Sequence, residues 1–317
     1  MNRCFIGIDT SNYTTSCAAC DERGTVIANI RVPLPVKEGE RGLRQSDAVF
    51  AHVRNLPLAM AELRGVLRGR QAVAVGVSER PRRAEGSYMP CFLAGVAAAE
   101  SFAAPAALPV FRFAHQEGHI RAALYSAGAE RLLDRPFVAF HVSGGTTEVL
   151  SVSPRPVGFN AETVGGSADL HAGQAIDRVG VMMGLSFPCG KEMERLSAQN
   201  TGKIPSPRVS VEGTTCHFSG LENLAAKLWS ETRDPALVSA FVMEFTAKTL
   251  ERMTAGADER FPDAPIVYAG GVMSNRLLQS RLSRRANTYF AEPAFSADNA
   301  AGIALLCKRA YEKGETP

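Results

Sequence analysis

Residues 4–21 read CFIGIDTSNYTTSCAACD. An apolar run from Cys4 through Ile8 ends on Asp9, a hydroxyl-rich turn follows, and a second run spans Thr15 to Cys20. With the DERG turn and the apolar run beyond it, this stretch predicts an antiparallel meander. The same layout returns at Pro136–Pro154, PFVAFHVSGGTTEVLSVSP, again a strand, a Gly-containing polar turn and a strand. The likeness of 4–20 to 137–152 indicates an internally duplicated strand-turn-strand unit. Each half is then an α/β layer with its own polar loop, and a cleft between halves is the expected ligand site.

The remaining chain fits that plan. At 317 residues it exceeds one comfortable core, so two domains are expected, 1–130 and 131–317, with the last helix packing back on the N-terminal half. A helix is predicted over 46–67 from Val49, Val53, Leu56, Met60 and Leu63, with Pro57 a possible kink. Further elements are a buried strand at 72–78, a helix of small residues from Cys91, and a helix containing FAHQEGH and ending near Ala127. Later come a long helix over 235–257, the strand APIVYAGG, the helix SNRLLQSRLSRRA, the strand NTYFAEP and a closing helix over 297–312.

Composition excludes more than it names. There is no run of roughly 20 apolar residues and no basic-then-apolar opening, so no membrane association is expected. Seven scattered cysteines form no disulfide framework and predict a reducing compartment, the cytoplasm. Cys17 and Cys20 make a lone CxxC within a predicted strand, a weak redox or zinc signal. A net charge of +3 does not by itself name nucleic acid as a partner. Arg80, Arg82 and Arg83 share one loop, while Arg276, Arg281, Arg284 and Arg285 line one predicted helix, a pattern that more often marks a solvated face than a phosphate track.

Three stretches carry chemistry. In FAHQEGH, His115 and His119 stand i, i+4, which puts both imidazoles on one helical face about 6 Å apart, within reach of one ion. The order differs from HExxH, in which the glutamate directly follows the first histidine as general base, so Glu117 does not support peptide hydrolysis. Two histidines leave the coordination sphere open, and Asp298 in FSADNAAGIA offers a carboxylate; the alternative is a pair of histidines capping a helix against solvent. DTSNYTTS, 9–16, and HVSGGTTEV, 141–149, both suit a nucleotide phosphate, because glycines admit a close backbone approach and amides and hydroxyls donate to its oxygens. The paired glycines Gly270 and Gly271 before Asn275 follow the same logic. Gly165, Gly166, Asp177, Gly190 and Glu194 lie in a polar segment that says little alone.

Taken in order, DTS, HxEGH, VSGG, AIDRVG with GLSFPCG, FSGL, AGGVMSNR and SADN resemble the tRNA threonylcarbamoyl-adenosine transferase family, once described as O-sialoglycoprotein endopeptidases, over about residues 4–307. The resemblance implies the actin, sugar kinase and heat-shock ATPase fold, two duplicated α/β domains around a nucleotide cleft. It implies iron or zinc on His115, His119 and Asp298. It further implies an adenylate, threonylcarbamoyl-AMP or ATP/AMP, held by His141, Val142, Ser143, Gly144, Gly145, Asp177, Gly190, Glu194 and Asn275. In the family, a partner synthase makes threonylcarbamoyl-adenylate, and the threonylcarbamoyl group passes to the amine of adenosine 37 in tRNA. Partner subunits, in a homo- or hetero-oligomer, follow from the same likeness. Asp9 and Ser11 are the candidate catalytic residues.

The departures from the family pattern are specific. ETSCDET becomes DTSNYTT, so Tyr13 and Thr14 replace two acids. GPGL becomes ERPRRAEGSYMP, 79–90. FSGLK becomes FSGLE, with Glu222 for lysine, and GGVVPELASRDH becomes RGLRQSDAVFAH, 41–52, which keeps His52. These changes predict a divergent, metal-dependent carbamoyltransferase with tRNA as its default acceptor. The alternatives are transfer to another acceptor, or a non-catalytic nucleotide-binding subunit of a tRNA-modification complex; retention of all three metal-ligand types argues against the last.

Overall fold

The computed structural model describes residues 2–35 and 43–316. Arg41 and Gly42 of the altered 41–52 stretch lie outside these described residues. The chain runs through β1 (Asn2–Thr10), β2 (Thr14–Asp21), β3 (Val26–Pro33), α1 (Gln45–Val66), β4 (Arg70–Arg80), α2 (Phe92–Ala103), β5 (Val110–Ala114) and α3 (His115–Ser126). It continues through β6 (Phe137–Val142), β7 (Thr147–Pro154), β8 (Phe159–Ser167), α4 (Ala172–Met182), α5 (Gly190–Ser197), β9 (Ser210–Glu212), β10 (Thr215–His217), α6 (Ser219–Thr232) and α7 (Pro235–Arg260). β11 (Ile266–Ala269), α8 (Arg276–Leu282), β12 (Thr288–Phe290), α9 (Pro293–Ser296) and α10 (Ala301–Glu312) complete it.

Two compact units result. One comprises Met1–Ser126, Pro154–Asn160 and Ala294–Pro317; the other comprises Ala127–Ser153 and Ala161–Pro293. Among the described residues the first unit holds a sheet ordered β3-β2-β1-β4-β5, and the second a sheet ordered β12-β11-β6-β7-β8-β10-β9. In the first, β1 is antiparallel to β2 and parallel to β4, and β4 is parallel to β5. In the second, β6 is antiparallel to β7 and parallel to β11, and β11 is parallel to β12. The order β8-β7-β6-β11-β12 therefore repeats β3-β2-β1-β4-β5, so the duplication legible at 4–20 and 137–152 extends through both sheets.

Local chemistry explains the opening meander. Asp21 Oδ1 accepts from the amides of Arg23 and Thr25, each at 2.9 Å, and Gly24 adopts φ +83° in the turn that reverses the chain. Helix α1 buries Ala48, His52, Leu56, Ala59 and Leu63. That stripe is rotated from the one predicted: Val53 faces outward, 58% exposed, because α1 carries apolar residues on more than one face. Pro57 sits within the helix on its exposed side without ending it.

Two predicted helices differ in their bounds for identifiable reasons. The closing helix, predicted over 297–312, begins only at Ala301, because the Asn299 amide donates to the carbonyls of Phe295 and Ala297 while its oxygen accepts from Ala301 N–H at 3.0 Å. Asn299 thus finishes α9 and starts α10, and Asp298 lies in the link. Helix α8 begins when Asn275 accepts from Leu278 N–H and stops at Leu282, so Arg284 and Arg285 lie beyond it. Nor do its arginines form a free row: Arg281 pairs with Glu244 and Glu251, and Arg285 with Asp258. The CxxC is a strand pair whose members face opposite ways, as i and i+3 must. Cys17 Sγ lies 3.7 Å from Met60 Sδ and Cys20 Sγ contacts the Ala304 carbonyl, and burial pushes both thiols up to about 12. No described helix is long and apolar enough to cross a membrane.

Candidate metal centre and adenylate-binding turn

In the first unit the register of the sheet assembles the site. Ile8 lies beside Val77, so Asp9 and Ser78 end neighbouring parallel strands, and Ser78 in turn faces Phe113 on β5. Asp9, Ser78 and His115 thus gather at the carboxyl ends of β1, β4 and β5, the edge where parallel α/β sheets place ligands. Helix α3 starts directly from β5, its Gln116 amide capped by the Pro81 carbonyl at 3.0 Å.

The third carboxylate arrives with α10. That helix crosses α3 so closely that a methyl on Gly302 would overlap the Gly118 carbonyl oxygen, and one on Gly118 would strike the Ile303 side chain. Asp298, just ahead of α10, is thereby set against the histidine face. His119 Nε2 lies 3.0 Å from His115 Nε2 and 3.1 Å from Asp298 Oδ1, and His115 Nε2 lies 3.6 Å from the same oxygen. One ligand atom from each of the three residues falls within 4.8 Å of the others.

This donor set fits a divalent ion. Ligand distances of about 2.0–2.2 Å at angles of 90–110° place donor atoms roughly 2.8–3.6 Å apart, and the separations of 3.0, 3.1 and 3.6 Å fall within that range. Two imidazoles and a carboxylate suit iron or zinc and leave coordination positions open. The electrostatics agree: burial alone would lower the His115 imidazole, but the carboxylates of Asp9 and Asp298 hold it up to about 10. Burial would likewise raise the Asp298 carboxyl, yet hydrogen bonds and charge from His115 and His119 keep it well below the carboxylate range.

Around the donors lies a shell that the sequence alone did not reveal. His115 Nδ1 donates to Asp9 Oδ1 at 2.9 Å, and Ser78 Oγ donates to that same oxygen. Ser11 Oγ donates to Asp298 Oδ2 at 2.7 Å. His52, fully buried, donates from Nε2 to the Ser11 carbonyl at 2.9 Å and accepts at Nδ1 from Thr15 at 2.8 Å. The available signal was that the otherwise altered 41–52 stretch keeps His52, but no sequence pattern pairs it with residue 11. Glu117 turns away from the histidines and is buried, accepting from the amides of Ala114 (2.9 Å) and Phe159 (3.1 Å) and pairing with Arg83.

The second unit holds the other predicted residues. His141 and Val142 end β6, and a tight turn follows in which Ser143 N–H donates to the Thr146 carbonyl at 2.7 Å and Thr146 N–H to Ser143 Oγ. Gly173, on the first turn of α4, packs against this turn so closely that a methyl there would meet Gly144 N and Cα at 2.7 Å. Asp177, one helical turn on, accepts from Cys189 N–H at 2.8 Å, which places Gly190 at the start of α5. A cavity of about 610 Å³ is lined by Gly144, Asp177, Arg178, Val181, Phe187 and Glu222, among others. Both Glu194 and Asn275 cap the start of α8, where Glu194 Oε1 accepts from Arg276 N–H at 2.7 Å and Asn275 Oδ1 from Leu278 N–H at 3.1 Å. Neither is among the residues that line the cavity.

The departures now have positions. Tyr13 lies in the β1–β2 turn, 46% exposed, and Thr14 is the first residue of β2, paired with Pro33 of β3. Arg83 is tied to Glu117, and Glu222 pairs with Arg178 at 3.1 Å on the cavity wall.

The duplicated sheets and their ligand edges define an actin, sugar kinase and heat-shock ATPase fold. Solved structures agree: component A of (R)-2-hydroxyglutaryl-CoA dehydratase from Acidaminococcus fermentans is similar with a TM-score of 0.56 at 13% identity, over 98% of this chain and 99% of that one. A ROK family glucokinase from Streptomyces griseus, in complex with glucose and AMPPNP, has a TM-score of 0.53 at 15% identity, over 98% and 99%. Full-length HypF in its phosphate- and nucleotide-bound form has a TM-score of 0.58 at 11% identity, over 99% of this chain and 56% of that one. At these identities the likeness establishes the fold. The family model for tRNA N6-adenosine threonylcarbamoyltransferase matches residues 48–305. The chain belongs to that family of tRNA-modifying transferases.

Proposed function

We propose that this protein transfers a threonylcarbamoyl group from an adenylate to an amine acceptor, adenosine 37 of tRNA by default, with one divalent iron or zinc ion on His115, His119 and Asp298. The observation that carries the reading is the convergence of those three donors from α3 and the link before α10, in a chain of this family. When bound, the ion supplies Lewis-acid polarisation and a template for the transferred group. Ser143, Gly144 and Gly145 offer a hydroxyl and amides to the adenylate phosphate, with Val142 and His141 ending the strand that presents them. Asp177, Gly190, Glu194 and Asn275 position the rest of the nucleotide. The acceptor amine attacks the carbamoyl carbon, the bond to the phosphate oxygen breaks, AMP leaves, and the amine proton passes to solvent.

The altered 79–90 loop favours one second reading, transfer to a different amine. That loop is fastened to α3 at Gln116 and Glu117, so its replacement changes the surface beside the donor cluster. One experiment separates the readings. The protein is incubated with bicarbonate, threonine, ATP, the partner synthase, partner subunits and tRNA, and the nucleosides are then analysed. Modified adenosine supports the default acceptor. Its absence, when a competent family enzyme produces it under the same conditions, removes tRNA adenosine as acceptor.

A further inference from the structure

We infer that Asp9 is a positioning residue: it fixes the ring of His115 so that Nε2, and not Nδ1, is presented to the ion. The inference rests on the metal reading above and extends it to a residue that binds no ion itself. His115 Nδ1 is 2.9 Å from Asp9 Oδ1. A carboxylate only accepts, so Nδ1 carries the hydrogen, and Nε2 is the nitrogen 3.0 Å from His119 Nε2 and 3.6 Å from Asp298 Oδ1.

Two features single Asp9 out as built for this task. It is fully buried at the end of β1, and Ser78 from the adjacent strand donates to the same oxygen, so the acceptor is held from both sides. Its second oxygen, Oδ2, is buried without a hydrogen-bond partner. A structural carboxylate gains nothing from an orphaned oxygen, which costs free energy when buried. A carboxylate kept for its charge and for one directed bond to an imidazole does gain, because it sets the ring tautomer and raises the basicity of the ligating nitrogen. The Phe92 ring, centred 5.8 Å from that of His115, limits the space into which the imidazole could rotate.

The test is Co²⁺ and Zn²⁺ titration of the full chain against a chromophoric chelator, with folding checked by circular dichroism. Asp9→Asn is expected to fold and to bind both ions roughly 10–100-fold more weakly, with a changed Co²⁺ visible spectrum; Ser78→Ala, which leaves the Asp9 carboxylate, is expected to lose less. Folded Asp9→Asn that binds within twofold of wild type, with an unchanged spectrum, overturns the inference. Wild-type protein that binds neither ion instead overturns the metal reading itself. Nitrogen-15 histidine NMR of the Zn²⁺-loaded wild-type chain needs no variant. Zinc on His115 Nε2 with a protonated Nδ1 is expected, and zinc on Nδ1 overturns the inference.

Discussion

Gly302 and Gly118 lie in backbone contact: no methyl fits on Gly302 without overlapping the Gly118 carbonyl. This crossing seats α10 on α3 and so sets Asp298, 179 residues from His119, within 3.1 Å of its ring. Gly302 is needed for its missing side chain, at a contact made by backbone atoms that cannot rotate aside, whereas a methyl on Gly118 would press on the Ile303 side chain.

Gly302→Ala should therefore cost about 1–3 kcal/mol of stability by overpacking and weaken metal binding together, since the helices must part to admit the methyl. Denaturant unfolding and a Co²⁺ titration of the folded variant check both effects. Unchanged metal affinity with reduced stability would mean that Asp298 is placed independently of the crossing.

Glu117 answers for a different connection. Its carboxylate holds the amides of Ala114 and Phe159 as well as Arg83, and Gly158, at φ +81°, leaves no room for a methyl beside Oε1. Glu117→Gln replaces one acceptor oxygen with a donor facing donors, and a loss of roughly 1–3 kcal/mol is expected. Gly158→Ala should destabilise in the same direction. Urea midpoints of the two variants measure this.

In the second unit Gly173 does for the Ser143–Gly145 turn what Gly302 does for the metal site. Gly173→Ala should displace the turn and weaken adenylate binding by about tenfold or more, equivalent to about 1.4 kcal/mol. Calorimetry with AMP or ATP reads this, while Co²⁺ affinity serves as the control and should stay at the wild-type value. Equal loss at both sites would point to general unfolding.

On the proposed metal reading, the proton on His115 makes metal binding pH-dependent. Its folded value, held up to about 10 by Asp9 and Asp298 against the lowering effect of burial, lies above the ordinary unfolded value of about 6.5. In metal-free protein this contribution is fully present below about pH 6.5 and is lost as pH rises towards 10. A metal must displace that proton, so Zn²⁺ and Co²⁺ affinity should rise with pH over the same window. Titrations at pH 6, 7, 8 and 9 check the sign.

Much of this molecule is legible in one dimension. The strand-turn-strand layout of 4–20, repeated at 137–152, depends on alternation and turn residues that are local, and so it announced the duplication that both sheets carry. The i, i+4 spacing of His115 and His119 is likewise a local property of a helix. Periodicity misplaced the buried stripe of α1, because apolar residues lie on more than one of its faces and the partner surface chooses between them. It also began the closing helix at Ala297, where the Asn299 side chain competes for backbone groups and delays the helix to Ala301.

What only the tertiary structure decided is which distant groups meet. The parallel register of β1 with β4 brings Ser78 to Asp9, the Gly118–Gly302 crossing brings Asp298 to the histidines, and the fold of α1 against β2 brings His52 to the Ser11 carbonyl. None of these pairings has a sequence period, because each is set by strand register or by how closely two backbones can approach. The sequence by itself determined the candidate donor residues and the duplicated frame; the packing of small residues determined that these groups meet at one place.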